Sequence, residues 1–525
     1  MGPRRLCAAV ALASGWLAGP AVAAGDAWLE AGRKAVAEAS AEPVVPGPAR
    51  NVILFLGDGM GITTVSAARI LEGQRRGESG EENMLAFERF PYTAFSKVYT
   101  TDDQTPESAG TMTAIVTGAK TRSAVLAVDE TVGRGDFKAV AGHELTTILE
   151  RAEQRGLATG IVTNTTVTHA TPGATYAHSP DRDWEDDSRL PPAARAAGFP
   201  DIARQLLEFP YGDGIEVALG GGRANFRPGT APDPEYPLQK GARLDGRDLT
   251  EEWGQRRPRS VYVWNREQLD AIDPAATKHL LGLFEPVYMQ FEADRPRDAA
   301  GEPSLSQMTA KAIDLLARHP GGFFLMVEGG RIDHAHHVAN AYRALGETIE
   351  LSNAVRVALE KTDPKQTLII VTADHGHVFT FGGYGKRGND ILGKVYQAED
   401  HKGGGTGKPA LDATGRPYTT LGYQNGPGYT GASAEQPEGP KYFPHRGAGY
   451  RPVTKGRPDL GPVDTAAPSY LQESTVPLNG ETHSGEDVPV YATGPGAQLF
   501  RGVREQNYLY HAMVEALDWN AVRED

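Results

Sequence analysis

The chain has 525 residues, 40% hydrophobic and 23% charged, with a formal net charge of −14. That length suits several small domains or one large α/β enzyme, and the composition excludes a wholly disordered chain. The acidic balance argues against a nucleic-acid-binding face and against adhesion to anionic membranes. The single cysteine, Cys7, lies in the first segment, which excludes disulfide scaffolds, thiolate zinc sites and a cysteine nucleophile further along.

Residues 1–23 read as a secretory signal. Arg4 and Arg5 form a positive start, residues 6–21 are mostly small and apolar, and Ala21-Val22-Ala23 fits a cleavage site. The apolar stretch is short and broken by Gly and Pro, which favours cleavage over anchoring. No later apolar run reaches membrane-span length, so the expected product is exported, to periplasm or medium. Residues 24–49 predict an N-terminal helix and a Pro-containing linker. Short apolar runs then stop abruptly at polar residues: 52–56 at Gly57-Asp58-Gly59, 159–162 at Thr163-Asn164, 323–327 at Glu328-Gly329-Gly330, and 368–371 at Thr372-Ala373-Asp374-His375. Such runs read as strands buried on both faces, typical of parallel sheets. Helical patterns over 145–154, 305–318 and 341–359 lie between them. The expected fold is a doubly wound, mostly parallel α/β sheet with helices on both faces, in one catalytic domain over about 50–520. Residues 225–275 and 400–470 lack a clear period and read as insertions at the loop edge. Ligands of such sheets bind beyond the carboxyl ends of the strands, where this chain puts its carboxylates.

Eight of the 14 histidines fall in four short segments rich in Asp, Glu or Thr: His169 and His178; His334, His336 and His337; His375 and His377; and His483. Imidazole together with carboxylate points to zinc rather than calcium. Asp333 and His337, four apart, share one face if the segment is helical and can grip one ion; the alternative is an exposed helix start. Asp58 and Asp374 follow buried strands, so each either meets a cation or caps the next helix. Gly57 and Gly59 allow close backbone approach beside Asp58, and Glu328 ends a buried run in the same way. His483 alone reads as a surface histidine. Ser108, in Glu107-Ser108-Ala109-Gly110-Thr111, falls at a helix N-terminus, where backbone N–H groups favour an alkoxide or a phosphate. It is either a nucleophile, metal-assisted or in a Ser-His-Asp arrangement, or an ordinary N-cap serine.

Taken together and in order, these segments resemble the alkaline phosphatases. The matching stretches are Leu56-Gly57-Asp58-Gly59-Met60-Gly61, Glu107 to Thr111, Thr168-His169-Ala170-Thr171-Pro172, Tyr176-Ala177-His178 followed by Arg182, Val327 to His337, Thr372 to His375, and Glu481 to Asp487, spanning about residues 50–515. The resemblance implies phosphate monoester hydrolysis through a phosphoserine on Ser108, releasing inorganic phosphate, with two zinc ions and one magnesium ion. It assigns Asp333, His337 and His483 to one zinc; Asp58, Asp374 and His375 to the other; Asp58, Thr171 and Glu328 to magnesium; and Arg182 to the phosphate oxygens. It also implies a homodimer and a crown-like lobe over 400–470. Diesters, sulfates, or phosphate capture without turnover are the alternatives kept open. Glu107 stands where the family usually has Asp, so the extra methylene is expected to loosen Arg182. His169 and His334 are expected beside the metal ligands. Glu252, Phe284, Glu285 and Glu302 loosely resemble an additional calcium site; the alternative is a solvated acidic loop.

Overall fold

The computed structural model describes Gly2, residues 24–398 and residues 407–519. The expected signal segment, Gly2 apart, and residues 399–406 of the expected lobe lie outside the described residues. Two units are present, 1–44 and 45–525. In the first, helix α1 (Ala24–Ala41) carries the Lys34–Glu38 pair at the i, i+4 spacing that supports an exposed helix face.

The second unit is built on a ten-stranded sheet. Its strands in chain order are β1 (Asn51–Gly57), β2 (Tyr92–Lys97), β3 (Ala158–Thr166), β4 (Val217–Gly221), β5 (Ser260–Val263), β6 (His279–Leu283), β7 (Phe323–Gly329), β8 (Thr367–Thr372), β9 (Val488–Thr493) and β10 (Gly502–Glu505). Their spatial order is β10-β2-β9-β8-β1-β7-β3-β4-β6-β5. Only β9 runs against the rest, pairing antiparallel with β8 and β2. The expected mostly parallel sheet is therefore correct, and the apolar runs are its central strands. The 225–275 region, expected as a plain insertion, contains the edge strand β5 paired with β6; at four residues, Ser260-Val261-Tyr262-Val263, it is too short to show a period.

The alternation along β1 shows why the run is apolar without a break. Ile53 and Phe55 enter one core with α2 (Ile62–Arg75), α5 (Leu305–Leu316) and α7 (Ala341–Lys361). Val52, Leu54 and Leu56 enter the other with α3 (Ser108–Thr117), α4 (Ile148–Gln154) and α8 (Tyr508–Ala516). All five β1 residues are fully buried, each contributing about 1.5–3 kcal/mol relative to exposure. Both faces of the sheet are thus covered, and open access is left at the strand ends. A further helix, α6 (Arg331–His337), follows β7 directly.

Candidate active site

Residue Leu56 of β1 lies beside Glu328 of β7 and Thr372 of β8. The carboxylates of Asp58, Glu328 and Asp374 therefore leave adjacent strand ends together, all three fully buried. Gly59 has φ +68°, and a Cβ there would lie 2.3 Å from His377 Nε2, so only glycine fits this turn. Asp374 Oδ1 accepts from Gly59 N at 3.1 Å and His375 N at 2.9 Å. Neither aspartate caps a helix. Gly61 stands at the start of α2, and Asp374 leads into the two-residue strand Gly376–His377. That strand pairs antiparallel with His483–Ser484, which carries His483 into the site.

Two clusters result. In the first, Asp58, Asp374 and His375 converge: His375 Nε2 is 3.4 Å from Asp58 Oδ1 and 3.3 Å from Asp374 Oδ2. In the second, the Nε2 atoms of His337 and His483 each lie 3.3 Å from Asp333 Oδ1 and 3.1 Å from one another. Their Nδ1 atoms face carbonyl oxygens, of Glu481 at 2.6 Å and of Pro106 at 2.7 Å. A carbonyl only accepts, so each Nδ1 carries a proton, and whenever Nε2 gives up its own, two lone pairs point at one spot beside a carboxylate. That is a donor set for a cation such as zinc. Burial, then the charges of Asp374, Asp333 and Glu328, hold Asp58 well above the usual carboxylate range. Burial also raises Asp333, but His337, His377 and His483 outweigh it and hold this carboxyl well below that range. A cation between these groups relieves the repulsion that burial creates.

Ser108 Oγ lies 3.4 Å from both Asp58 oxygens and 3.3 Å from His375 Nε2. A Ser-His-Asp triad needs the carboxylate on the ring nitrogen opposite the serine. Here serine and carboxylates crowd the same Nε2, while Nδ1 faces Gly376 O at 3.3 Å. The triad alternative is therefore excluded. Nor is Ser108 the N-cap: it is the first residue of α3, and Glu107 caps the helix. Glu107 Oε1 accepts from Gly110 N (2.8 Å) and Ala124 N (2.7 Å), and Oε2 from Ala109 N (3.0 Å) and Arg182 Nη1 (2.5 Å). The longer Glu107 side chain folds back over the helix start and still reaches the Arg182 guanidinium. Burial alone pushes the Glu107 carboxyl up, but Arg182 and the three N–H groups leave it lowered. On its other side Arg182 Nη2 meets His169 Nε2 at 3.2 Å.

Glu328 Oε2 accepts from Thr163 and, at 3.1 Å, from Thr165. Its Oε1 and Thr171 Oγ1 are buried without a well-formed hydrogen bond, and Asp58, His169 and Glu328 present ligand atoms to one another. Two orphaned buried oxygens beside a shared carboxylate fit an oxygen-seeking ion such as magnesium.

A family model for alkaline phosphatase matches residues 49–519. The chain belongs to the alkaline phosphatase family. It is 46% identical over 475 residues to the tissue-nonspecific alkaline phosphatase of Gallus gallus, covering 89% of this chain and 84% of that one. The alkaline phosphatase of Gadus morhua is 44% identical over 474 residues, covering 89% and 91%. Among solved structures, that of Thermus thermophilus alkaline phosphatase aligns with a TM-score of 0.62 at 26% identity, covering 92% and 94%. The enzyme from the Antarctic bacterium TAB5 shares the fold at a TM-score of 0.58 and 20% identity, covering 90% and 100%.

All the site residues expected from the alkaline phosphatase resemblance thus gather at one edge of the sheet. His334 lies against His169, ring centroids 5.6 Å apart. His178 sits elsewhere, bonded to Glu150 and the Ala127 carbonyl, and buried His336 faces Thr64 and Tyr423. Two residues that the sequence places in these segments without a role, His377 and Glu481, also belong to the site. Buried His377 contacts Asp333 Oδ1 through Nε2 (2.8 Å) and Glu481 Oε2 through Nδ1 (2.5 Å), bracing a cluster carboxylate. Its place two residues after His375 was the available signal. The calcium-like set needs one correction. Glu252 is taken by Arg247, with contacts of 2.9 and 2.6 Å. Glu235 and Asp298 instead lie beside Glu285, and Asp298 beside Glu302, with Glu235 Oε1, Asp298 Oδ1 and Glu302 Oε2 buried without a well-formed hydrogen bond. Phe284 is buried next to Glu285.

Proposed function

We propose that Ser108 is the nucleophile with which this alkaline phosphatase hydrolyses phosphate monoesters. Asp333, His337 and His483 hold one zinc ion; Asp58, Asp374 and His375 hold a second; Asp58, Thr171 and Glu328 hold magnesium. When bound, the ions supply Lewis acidity and charge stabilisation at the phosphoryl group. The observation that carries this reading is the pair of Nε2 lone pairs facing each other beside Asp333, with Ser108 at the adjoining cluster.

The chain's own residues do the rest. The N–H groups of Ala109 and Gly110 at the start of α3 are taken by Glu107, so the helix contributes the positive end of its dipole beside the reacting phosphoryl, where negative charge develops. Arg182, held flat between Glu107 and His169, offers its remaining N–H groups to two phosphoryl oxygens. The Ser108 Oγ–P bond forms as the ester O–P bond breaks and the alcohol leaves. Water then displaces Oγ, giving inorganic phosphate and restoring the serine. The net charge of −14 repels anionic substrates at long range, so attraction is local to Arg182 and the ions. The Ser108→Ala enzyme should lose about 10³-fold or more of its turnover of para-nitrophenyl phosphate; wild-type turnover would overturn the assignment.

The same reading extends to the whole chain. Residues 1–23 direct export to periplasm or medium and are removed, and residues 24–49 precede a catalytic domain over 50–520. No helix among the described residues is long and apolar enough to cross a membrane. The functional form is a homodimer, with residues about 400–470 as a crown-like contact lobe. Glu235, Glu285, Asp298 and Glu302 bind calcium as a structural ion, since an all-oxygen set suits it.

A further inference from the structure

Arg331 opens α6 and has no role in the reading above. Its backbone N–H donates to Asn164 Oδ1 at 3.0 Å. Its guanidinium carbon lies 3.8 Å from the Phe291 ring centroid and 5.6 Å from that of Tyr288. Nη1 reaches His334 Nδ1 at 2.8 Å, while Nε is buried without a hydrogen-bond partner. The cation is packed on aromatic faces and aimed at one imidazole nitrogen.

A guanidinium only donates. His334 therefore accepts on Nδ1, and its ring proton lies on Nε2. The same argument applies where Arg182 Nη2 meets His169 Nε2 at 3.2 Å: the His169 proton lies on Nδ1, which is buried without a partner. The two rings meet edge to face with centroids 5.6 Å apart. Tyr288 closes against both, 4.4 Å from His334 and 5.9 Å from His169. Arg182 is thus bounded by Glu107 on one side and, on the other, by an aromatic wall whose far end is fixed by Arg331. Each arginine sets the tautomer of one imidazole in that wall.

We propose that Arg331 is a positioning residue for the phosphate clamp: it fixes the tautomer and orientation of His334, and through the His334–Tyr288–His169 wall it sets the plane in which Arg182 meets a phosphoryl group. This rests on the reading of Arg182 as that clamp. Rings packed edge to face resist rotation, so a ring released at one end can turn and free the next. A small misorientation of a bidentate donor weakens binding of the group it grips.

The test uses the metal-replete enzyme with Arg331→Leu, Arg331→Lys and Arg182→Ala, read by kcat, KM and the inhibition constant of inorganic phosphate. Arg331→Leu should raise KM and the phosphate inhibition constant by about tenfold while kcat falls less, with zinc content and melting temperature held as controls. Arg331→Lys, which still donates and cannot accept, should recover part of that loss. Side-chain nitrogen spectra of the 15N-histidine-labelled wild-type enzyme should show His334 protonated on Nε2. A wild-type phosphate constant in Arg331→Leu, a Lys variant as weak as the Leu variant at equal stability, or a His334 proton on Nδ1 would each overturn the proposal. If the Leu variant does not fold, the Lys variant and the wild-type spectrum still decide. If Arg182→Ala leaves the phosphate constant unchanged, the clamp reading itself fails; if only Arg331→Leu does, the clamp stands and this proposal falls.

Discussion

Two carboxylate-bearing clusters in this enzyme differ in charge and in donors. Around Asp333 the carboxylate is met by three imidazoles, His337, His377 and His483. Around Glu302 the carboxylates are Glu285 and Asp298, with Glu235 beside those two, and no imidazole is among them. The difference shows in their electrostatics: Asp333 is held well below the usual carboxylate range by its histidines, while burial and then Glu285 and Asp298 push Glu302 up to about 9. Nitrogen donors fix a compact tetrahedral ion and can keep an open position for chemistry. An oxygen cluster accepts a larger, hard ion whose work is to hold a loop. The first cluster sits at the carboxyl ends of the strands beside Ser108, and the second is built from loops flanking β4 and β6.

The sharpest way to break this contrast is to remove a nitrogen. His483→Ala should lower kcat/KM by about 10²-fold or more and reduce bound zinc by one per chain, measured by elemental mass spectrometry. Unchanged zinc content would dissolve the distinction. His377→Ala leaves all three proposed ligands in place and should weaken zinc binding by about 10–100-fold in competition with a chelator, with a smaller loss of turnover at saturating zinc. At the oxygen cluster the expected effect is on stability. Calcium at about 100 times its dissociation constant should stabilise the wild-type enzyme by about 2.7 kcal/mol in denaturant unfolding, and Glu302→Gln should abolish most of that response with little change in kcat. The smallest effect is a pH slope. Without calcium, Glu302 keeps its proton in the folded state up to about 9, against an ordinary value of 4.5. A carboxyl raised by folding contributes stability that is full below its unfolded pKa and is lost as pH rises through the folded one. Calcium-free enzyme should therefore lose stability between pH 5 and about 9, and calcium or Glu302→Gln should flatten the curve.

Much of this was legible in the chain. The runs at 52–56, 323–327 and 368–371 carry the strand signal because both sheet faces are covered, and their abrupt ends mark Asp58, Glu328 and Asp374 as groups at the carboxyl edge. What sequence could not supply was long-range pairing. His377 and Glu481 are 104 residues apart and meet because two short strands pair across the site. Glu235 and Asp298 come together with Glu285 through loops that carry no period, whereas Glu252 is taken by Arg247. Glu107 is the opposite case. Its identity suggested a weakened clamp, yet its side chain serves the helix start and Arg182 at once, a double role that only the fold reveals.

We propose a site of two zinc ions and one magnesium ion that acts on phosphate monoesters at Ser108. Its most direct test is turnover of para-nitrophenyl phosphate at alkaline pH by the purified enzyme, as isolated, after chelation, and after return of Zn²⁺ with Mg²⁺. Activity should be lost on chelation and recover only when both ions are restored. Full activity in the chelated, metal-free enzyme, or none in the fully loaded one, would contradict it.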